Sequence, residues 1–251
     1  MNLHIIASGS SGNCSCVEYG SKYIFIDAGV PVSRVRGVLG ELNKDSDISL
    51  FITHEHSDHI SGFIPFVNKY SPKVYASEKT ADILMAKGAN PDKLFVLDAD
   101  SNYDMGDYSV LPFRVAHDAV EPFGYKFDFG EKIISFATDL GIVSDYIRRS
   151  VEGSSVMLLE SNYEDRLLKT SRYPSYLKSR IAGTKGHLSN KDAYKFIGEM
   201  SGCGLKRCFL AHVSENCNDY DLLDKYAKSC VDFYHVETEV IRQRHSMVVS
   251  V

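Results

Sequence analysis

The sequence predicts an α/β chain built on two sheets with helices on their outer sides. Two observations carry this. Strand-like apolar runs are followed by helical spacing, and that order occurs twice along the chain. Five of the strand-like runs end in His, Asp or Glu, and strand ends converge at the edge of a sheet, where sites are built on a rigid scaffold.

The elements follow in order. Residues 3–7 are apolar, Ser8-Gly9-Ser10-Ser11-Gly12-Asn13 is turn-forming, and residues 15–19 and 23–27 are strand-like, which together make a meander. Residues 32–43 are helical, with apolar side chains at Val32, Val35, Val38, Leu39 and Leu42. Residues 49–52 and 73–76 read as strands. Ser77 is placed to cap a helix over 79–87, with Gly88 as its stop. Strands are expected at 94–97, 108–116, 124–129, 132–137, 155–159 and 207–211. Helices are expected at 145–150, 166–181 with a start or break at Pro174, 191–200 capped by Ser189-Asn190, and 222–229. The tail, 231–251, reads as mostly strand. No repeat, low-complexity tract or linker interrupts the chain, so residues 1–251 read as a single domain.

Composition narrows the function. Hydrophobic content of 44% and charged content of 24% are ordinary for a soluble globular protein. A net charge of −5 argues against coating nucleic acid through global charge. No apolar run approaches the roughly 20 residues that span a bilayer. No signal peptide is visible, and none of the six cysteines forms a C-x-x-C pair. Reduced thiols and a cytoplasmic location are the expectation.

Thr53-His54-Glu55-His56-Ser57-Asp58-His59 is the densest chemistry in the chain. Imidazoles and a carboxylate suit a borderline divalent ion such as zinc. On a strand end His54 and His56 share one face, and the following loop can turn Asp58 and His59 toward a second ion. One ion does not need so many ligands so close together; two adjacent ions do. The later strand ends carry His117-Asp118-Ala119, Thr138-Asp139-Leu140-Gly141, Glu160-Ser161-Asn162 and His212-Val213-Ser214-Glu215-Asn216.

This series, with Asp27 in Ile26-Asp27-Ala28-Gly29, resembles the metallo-β-lactamase superfamily. The resemblance implies a four-layer αββα sandwich. It implies one ion on His54, His56 and His117, a second on Asp58, His59 and His212, and Asp139 bridging them. Zinc is the first expectation and manganese the second. Asp58 counts with the catalytic residues as well as the ligands. Asp27 matches the superfamily's structural aspartate.

A narrower resemblance is to the YycJ-type branch, which contains nuclease-like proteins. It is carried by Ala7 to Asn13, His117-Asp118-Ala119, Glu160-Ser161-Asn162, Gly186-His187-Leu188-Ser189-Asn190 and His212 to Asn216. Glu160 and His187 fall in order with the Glu and His that assist phosphodiester cleavage in related ribonucleases. The chain has no insertion matching the tRNA-gripping arm of those enzymes. Homodimerisation is an expectation from the resembling families.

Between Glu160 and His187 begins a cationic stretch. From Arg166 to Lys191 there are seven basic residues and no acidic ones. Arg172, Lys178, Arg180 and Lys185 suit phosphate, and Tyr173 and Tyr176 suit a base. Ser189 and Asn190 complete the expected substrate-binding set. These features point to a dinuclear phosphodiesterase in which His187 protonates the leaving oxygen and Glu160 orients it. A cyclic mononucleotide is slightly preferred as substrate, with DNA or RNA ends as the alternative. Thioester or lactam hydrolysis by the same centre is a third reading.

Overall fold

A computed structural model describes residues 1–42, 46–243 and 245–251. Asn43, expected to end the first helix, and Arg244, within the expected C-terminal strand run, lie outside the described residues. Contacts group the chain into two compact units. The first is Met1–Ala99, Ala119–Phe123 and Gln243–Val251, and the second is Asp100–Asp118 and Gly124–Arg242.

The first unit carries strands β1 (Asn2–Ala7), β2 (Cys14–Tyr19), β3 (Lys22–Ile26), β4 (Asp47–Phe51), β5 (Lys73–Ala76), β6 (Leu94–Val96) and the last strand of the chain, β14 (Met247–Ser250). Among the described residues they form one sheet in the order β14-β1-β2-β3-β4-β5-β6. The expected meander is present, since β1, β2 and β3 pair antiparallel. From β3 to β6 the pairing is parallel, with Ile26 opposite Phe51 and Phe51 opposite Tyr75. Parallel strands are covered on both faces, and β4 is accordingly buried from Ile48 to Phe51.

Helix α1 (Val32–Leu39) is shorter than its apolar spacing suggests, because Gly40 turns into the left-handed region at φ 72°. Helix α2 (Ser57–Ile60) is a single turn. Helix α3 (Phe63–Tyr70) was not expected from sequence. It forms because Phe63 and Phe66 are buried, Phe66 edge-on to Phe25 at 4.8 Å, and Pro65 sits in the first turn, where its missing N–H costs nothing. Helix α4 (Glu78–Ala86) follows Ser77. Ser77 does not cap it by a side-chain bond; its hydroxyl donates to Glu121 O at 2.8 Å instead. The core of this unit includes Ile6, Cys16, Phe25, Leu50, Phe63 and Phe66.

The second unit carries β7 (Tyr103–Asp104), β8 (Ser109–Arg114), β9 (Phe123–Asp128), β10 (Ile133–Ala137), β11 (Val156–Glu160), β12 (Arg207–Ala211) and β13 (Glu237–Val240). Phe123, the first residue of β9, groups with the first unit. The sheet order among the described residues is β13-β12-β11-β10-β9-β8-β7. Strands β10 to β13 run parallel, so their carboxyl ends share one edge. The helices are α5 (Asp145–Val151), α6 (Asp165–Thr170), α7 (Ser175–Ile181), α8 (Asn190–Ser201) and α9 (Tyr220–Ser229).

The helix expected over 166–181 is split into α6 and α7. Pro174 stands just before α7 in extended conformation, as a residue without an N–H and with a ring that clashes with the preceding turn must. The tail opens on a wide helical turn, Cys230–Tyr234, rather than a strand. Tyr234 packs there against Tyr194 of α8, with ring centroids 5.0 Å apart. The core includes Phe113, Leu159, Phe196, Ile197, Leu210 and Leu223. Two mixed sheets with their helices give the α/β class expected. Among the described residues no helix is long and apolar enough to cross a membrane.

Gly124 on β9 marks where this core tolerates no addition. A Cβ there would lie 2.3 Å from the Phe113 ring and 2.8 Å from Phe136 O. Gly124→Ala is expected to destabilise the protein by about 1–3 kcal/mol through overpacking. Urea unfolding should show a lower midpoint with an unchanged slope.

Candidate active site

In the first unit the chain leaves β4 at Phe51 and continues through Thr53 to His54. Thr53 is held by Asp27, the residue after β3. The Thr53 N–H donates to Asp27 Oδ1 at 2.8 Å and the hydroxyl donates to Oδ2 at 2.9 Å. With its hydrogen committed to the carboxylate, the Thr53 hydroxyl accepts from His54 Nδ1 at 3.0 Å. That leaves Nε2 as the lone-pair atom of His54.

Asp27 also takes the Nδ1 hydrogen of His59 at 2.7 Å, which leaves His59 Nε2 as a lone pair. Asp58 and His59 arrive on the turn of α2, not on a loop as expected, and His56 stands at its N-cap. The His54 ring lies 4.6 Å from His56 and 4.1 Å from His59. Three imidazoles thus converge, and a buried carboxylate sets the tautomer of one of them directly.

In the second unit the carboxyl ends of β10, β11 and β12 deliver Asp139, Glu160 and His212. His187 comes from the segment between α7 and α8. Ligand atoms of these four residues lie within 4.8 Å of one another. Glu160 is fully buried. Its Oε1 accepts from His187 Nδ1 at 2.7 Å and from His212 Nδ1 at 2.9 Å. Its Oε2 accepts from the backbone N–H of Leu140 at 2.8 Å and of Leu188 at 3.2 Å.

Burial by itself pushes the Glu160 carboxyl up. The charge of His187 and the hydrogen bonds from both imidazoles outweigh it and hold the group below the usual carboxylate range. For His187 burial disfavours the charged form, but the Glu160 charge and hydrogen bond win and raise it above an ordinary histidine.

His117 follows β8. Its Nδ1 donates to Gly186 O at 3.1 Å, which turns Nε2 toward Asp139. Burial lowers the His117 pKa, which favours the neutral, ligating imidazole. Asp139 Oδ1 lies 3.7 Å from His117 Nε2, 3.7 Å from His187 Nδ1 and 3.6 Å from His212 Nε2. These separations are too long for hydrogen bonds. The His117 and His212 separations suit atoms that share a cation, since two ligands on one tetrahedral ion stand about 3.4 Å apart, whereas His187 Nδ1 has its hydrogen on Glu160. The donor set therefore fits a divalent ion.

Beside His187 a cleft of about 180 Å³ is lined by Asp118, Tyr173, Leu177, Arg180, Ile181 and Gly186. Arg180 Nε donates to Asp118 Oδ2, so one edge of the guanidinium is fixed and the rest is exposed. Tyr173 accepts from Asn216 Nδ2 at 2.9 Å.

The chain matches the beta-lactamase superfamily domain over residues 23–213. It belongs to that superfamily. The enzyme class follows with it: the chain is a metal-dependent hydrolase. Exodeoxyribonuclease YycJ of Bacillus anthracis is 34% identical over 228 residues, covering 88% of this chain and 86% of that protein. Exodeoxyribonuclease WalJ of Streptococcus pneumoniae serotype 2 is 35% identical over 225 residues, covering 87% and 83%. YhfI of Bacillus subtilis, a metallo-beta-lactamase fold protein, superposes with a TM-score of 0.75 at 15% identity over 99% of each chain. That likeness shows the fold: the chain has the metallo-β-lactamase fold.

Within the second unit the strand ends bring Asp139, Glu160 and His212 together with His187, but not every expected residue lies with them. Arg172, Tyr176 and Lys185 are exposed, Tyr176 at 75%. The Lys178 Nζ donates to Lys169 O at 2.7 Å, closing α6 onto α7. Ser189 and Asn190, expected to bind substrate, are buried and turned inward. Ser189 caps α8 through Asp192 N, and Asn190 bonds Ser161, Glu164 and Asn218. Their polar atoms brace the strand ends.

Sequence reasoning missed Thr53, Asn162 and Asn218. Asn162 Nδ2 donates to His212 O at 2.8 Å, and Asn218 Nδ2 donates to Asn162 O at 2.8 Å. Thr53 and Asn162 carried a signal as members of quoted motifs, beside His54 and Glu160, whereas Asn218 carried none.

Glu160→Gln removes the negative charge that both imidazoles share. It is expected to weaken divalent-ion binding about 10–100-fold through His212, measured by competition with a chelator of known affinity.

Proposed function

We propose that the chain is a dinuclear metal-dependent exodeoxyribonuclease. The ligand series His54, His56, His117 for one ion and Asp58, His59, His212 for the other, with Asp139 shared, rests on the order of these residues in the sequence and on the family. Zinc fits the His-rich N/O set first, and manganese is compatible with it. Two divalent ions bound there would supply Lewis-acid stabilisation of phosphoryl charge and a nucleophile at neutral pH.

The observation that carries the reading is the Glu160–His187 pair. A thiolate leaves without a proton, so a thioester hydrolase has no need of a second, carboxylate-held imidazole beside its metal ligands. A phosphodiesterase does, because the departing sugar oxygen must be protonated. His187 is held by Glu160 at 2.7 Å and its pKa is raised, so it stays protonated to higher pH than an ordinary histidine. Its Nε2 lies on the far side of the ring from Glu160, and the residue lines the cleft. Proton donation from Nε2 to the leaving oxygen makes a neutral imidazole hydrogen-bonded to a carboxylate, which the Glu160 charge recharges from solvent.

Arg180, pinned by Asp118, presents the remainder of its guanidinium at the same cleft and suits a phosphate of the bound strand. Tyr173 and the exposed Tyr176 supply ring faces for bases, and Arg172 and Lys185 add charge around them. Two relatives at 34% and 35% identity bear the name exodeoxyribonuclease. They move the reading from the cyclic mononucleotide that the sequence slightly favoured to a DNA end. A cytoplasmic location and a homodimer stay as expectations of the same reading.

The test is a substrate panel with Zn²⁺ or Mn²⁺: DNA and RNA labelled at 5′ or 3′ ends, and cyclic mononucleotides. Release of nucleotides from DNA ends is expected. Cleavage of cyclic mononucleotides alone would restore the competing substrate, and no hydrolysis of any of them sinks the phosphodiesterase reading. His187→Ala is expected to retain its ions and lose about 10²–10⁴-fold in kcat. Asp139→Ala should lose both ions and activity, with metal content read by elemental analysis.

A further inference from the structure

The turn between β1 and β2 has no part in the reading above. It is Ser8-Gly9-Ser10-Ser11-Gly12-Asn13, and its last residue is buried, with 7% exposure. The backbone of Asn13 is bonded on both sides. Its N–H donates to Asp58 O at 2.7 Å, and its carbonyl accepts from Gly29 N–H at 2.9 Å. Only glycine fits at position 29, where a Cβ would lie 1.7 Å from Asp58 O. Three separate segments are thereby pressed together at Asn13, Gly29 and Asp58.

The side chain has one orientation. The Gly9 N–H donates to Oδ1 at 2.8 Å, and the oxygen is the acceptor of an amide. The Nδ2 group then faces Asp58 Oδ2 at 3.0 Å and His59 Nε2 at 3.0 Å. Those two atoms are 3.3 Å apart. Both are acceptors. The Asp58 carboxylate has no hydrogen, and His59 gives its Nδ1 hydrogen to Asp27 at 2.7 Å. Two acceptors so close repel each other unless a donor or a cation stands between them. An amide NH2 carries two hydrogens, one for each.

We propose that Asn13 is a positioning residue of the metal centre, whose amide holds the Asp58 carboxylate and the His59 imidazole converged before an ion arrives. The proposal rests on Asp58 and His59 being ligands. His59 Nε2 and the Asp58 carboxylate would hold the ion, and Asp58 has lone pairs enough to keep its bond from the amide as well. The cost of gathering two like acceptors is met during folding rather than at binding, which is preorganisation.

The test compares the wild type with Asn13→Ala and Asn13→Asp. Each is titrated calorimetrically with Zn²⁺ and melted with and without the ion. Asn13→Ala is expected to bind one of the two ions about 10–100-fold more weakly, as loss of a ligand's hydrogen-bonding partner does. Asn13→Asp is isosteric and keeps the acceptor for Gly9 N–H, so the turn stays anchored. It replaces the donor with a third acceptor. Its metal-free Tm should fall below that of the wild type, and the ion should raise it by more than it raises the wild type. If Asn13 served the turn alone, Asn13→Asp would melt like the wild type in both states. That result, or a wild-type ion affinity in Asn13→Ala, overturns the proposal. A wild type that binds no ion overturns the ligand assignment and this proposal with it, so the two failures are told apart by the wild-type titration.

Discussion

One buried charge fixes the geometry of the second unit. Glu160 has no solvent contact, and an ionised carboxylate there is tolerable only if all its lone pairs are engaged. Four donors meet it: Leu140 N, Leu188 N, His187 Nδ1 and His212 Nδ1. They come from three places in the chain: the end of β10, the segment before α8 and the end of β12. Each must stay where it is or leave the charge exposed to an apolar surrounding. The requirement to satisfy one carboxylate therefore orients two imidazoles and sets the backbone beside Asp139. The sequence paired Glu160 with His187, and the structure adds His212 as a second imidazole on the same carboxylate. A single oxygen, Oε1, makes both contacts.

The same economy appears in the backbone. Asp27, Asp139 and His212 have φ of 62°, 55° and 53°. Non-glycine residues rarely occupy this left-handed region, and each instance costs of order 1–3 kcal/mol. All three stand at or just past the carboxyl end of a strand, and all three are polar residues of the candidate site. The left-handed turn bends the chain sharply, so the side chain stays at the sheet edge while the backbone departs. Asp27 offsets the cost through Thr53 and His59, and His212 through Glu160 and Asn162. Ser71, Asp100 and His235 share this conformation away from the site, so the strain is not unique to it, but at these three strand ends it aims a polar side chain.

These facts explain what was legible in the sequence. The apolar runs of β4, β10, β11 and β12 are interrupted only by Ser49 and Ser135, because strands with parallel neighbours are covered on both faces, so strand ends could be read directly. The residues just beyond them, His54, Asp139, Glu160 and His212, then stood out by chemistry alone. Helix α3 was not legible because its apolar residues follow directly on the histidine block and Pro65 argued against a helix. Pro174 did announce a break, but not that 171–174 would separate two short helices. Asn13, Thr53, Asn162 and Asn218 were opaque for a different reason. In a sequence, small polar residues just past a strand or in a loop look like turn formers whether their side chains face water or brace a ligand. Ser189 and Asn190 show the converse: a helix-capping pair next to His187 looks the same in sequence as a pair that greets substrate, and in the structure both are bonded inward.

Charge distribution bears on how such a site meets DNA. The net charge of −5 repels a polyanion from most of the surface. The cationic segment around α6 and α7 is local, and part of it is spent internally: Arg180 on Asp118, Lys178 on a backbone carbonyl. Few phosphates can be neutralised at once, so little affinity comes from counterion release. A protein built this way does not hold long duplex by its backbone. On the proposed exodeoxyribonuclease reading, discrimination comes from the cleft itself, which Arg180, Tyr173 and His187 line together. On that reading a local cationic segment on an acidic chain suits a strand terminus better than long duplex.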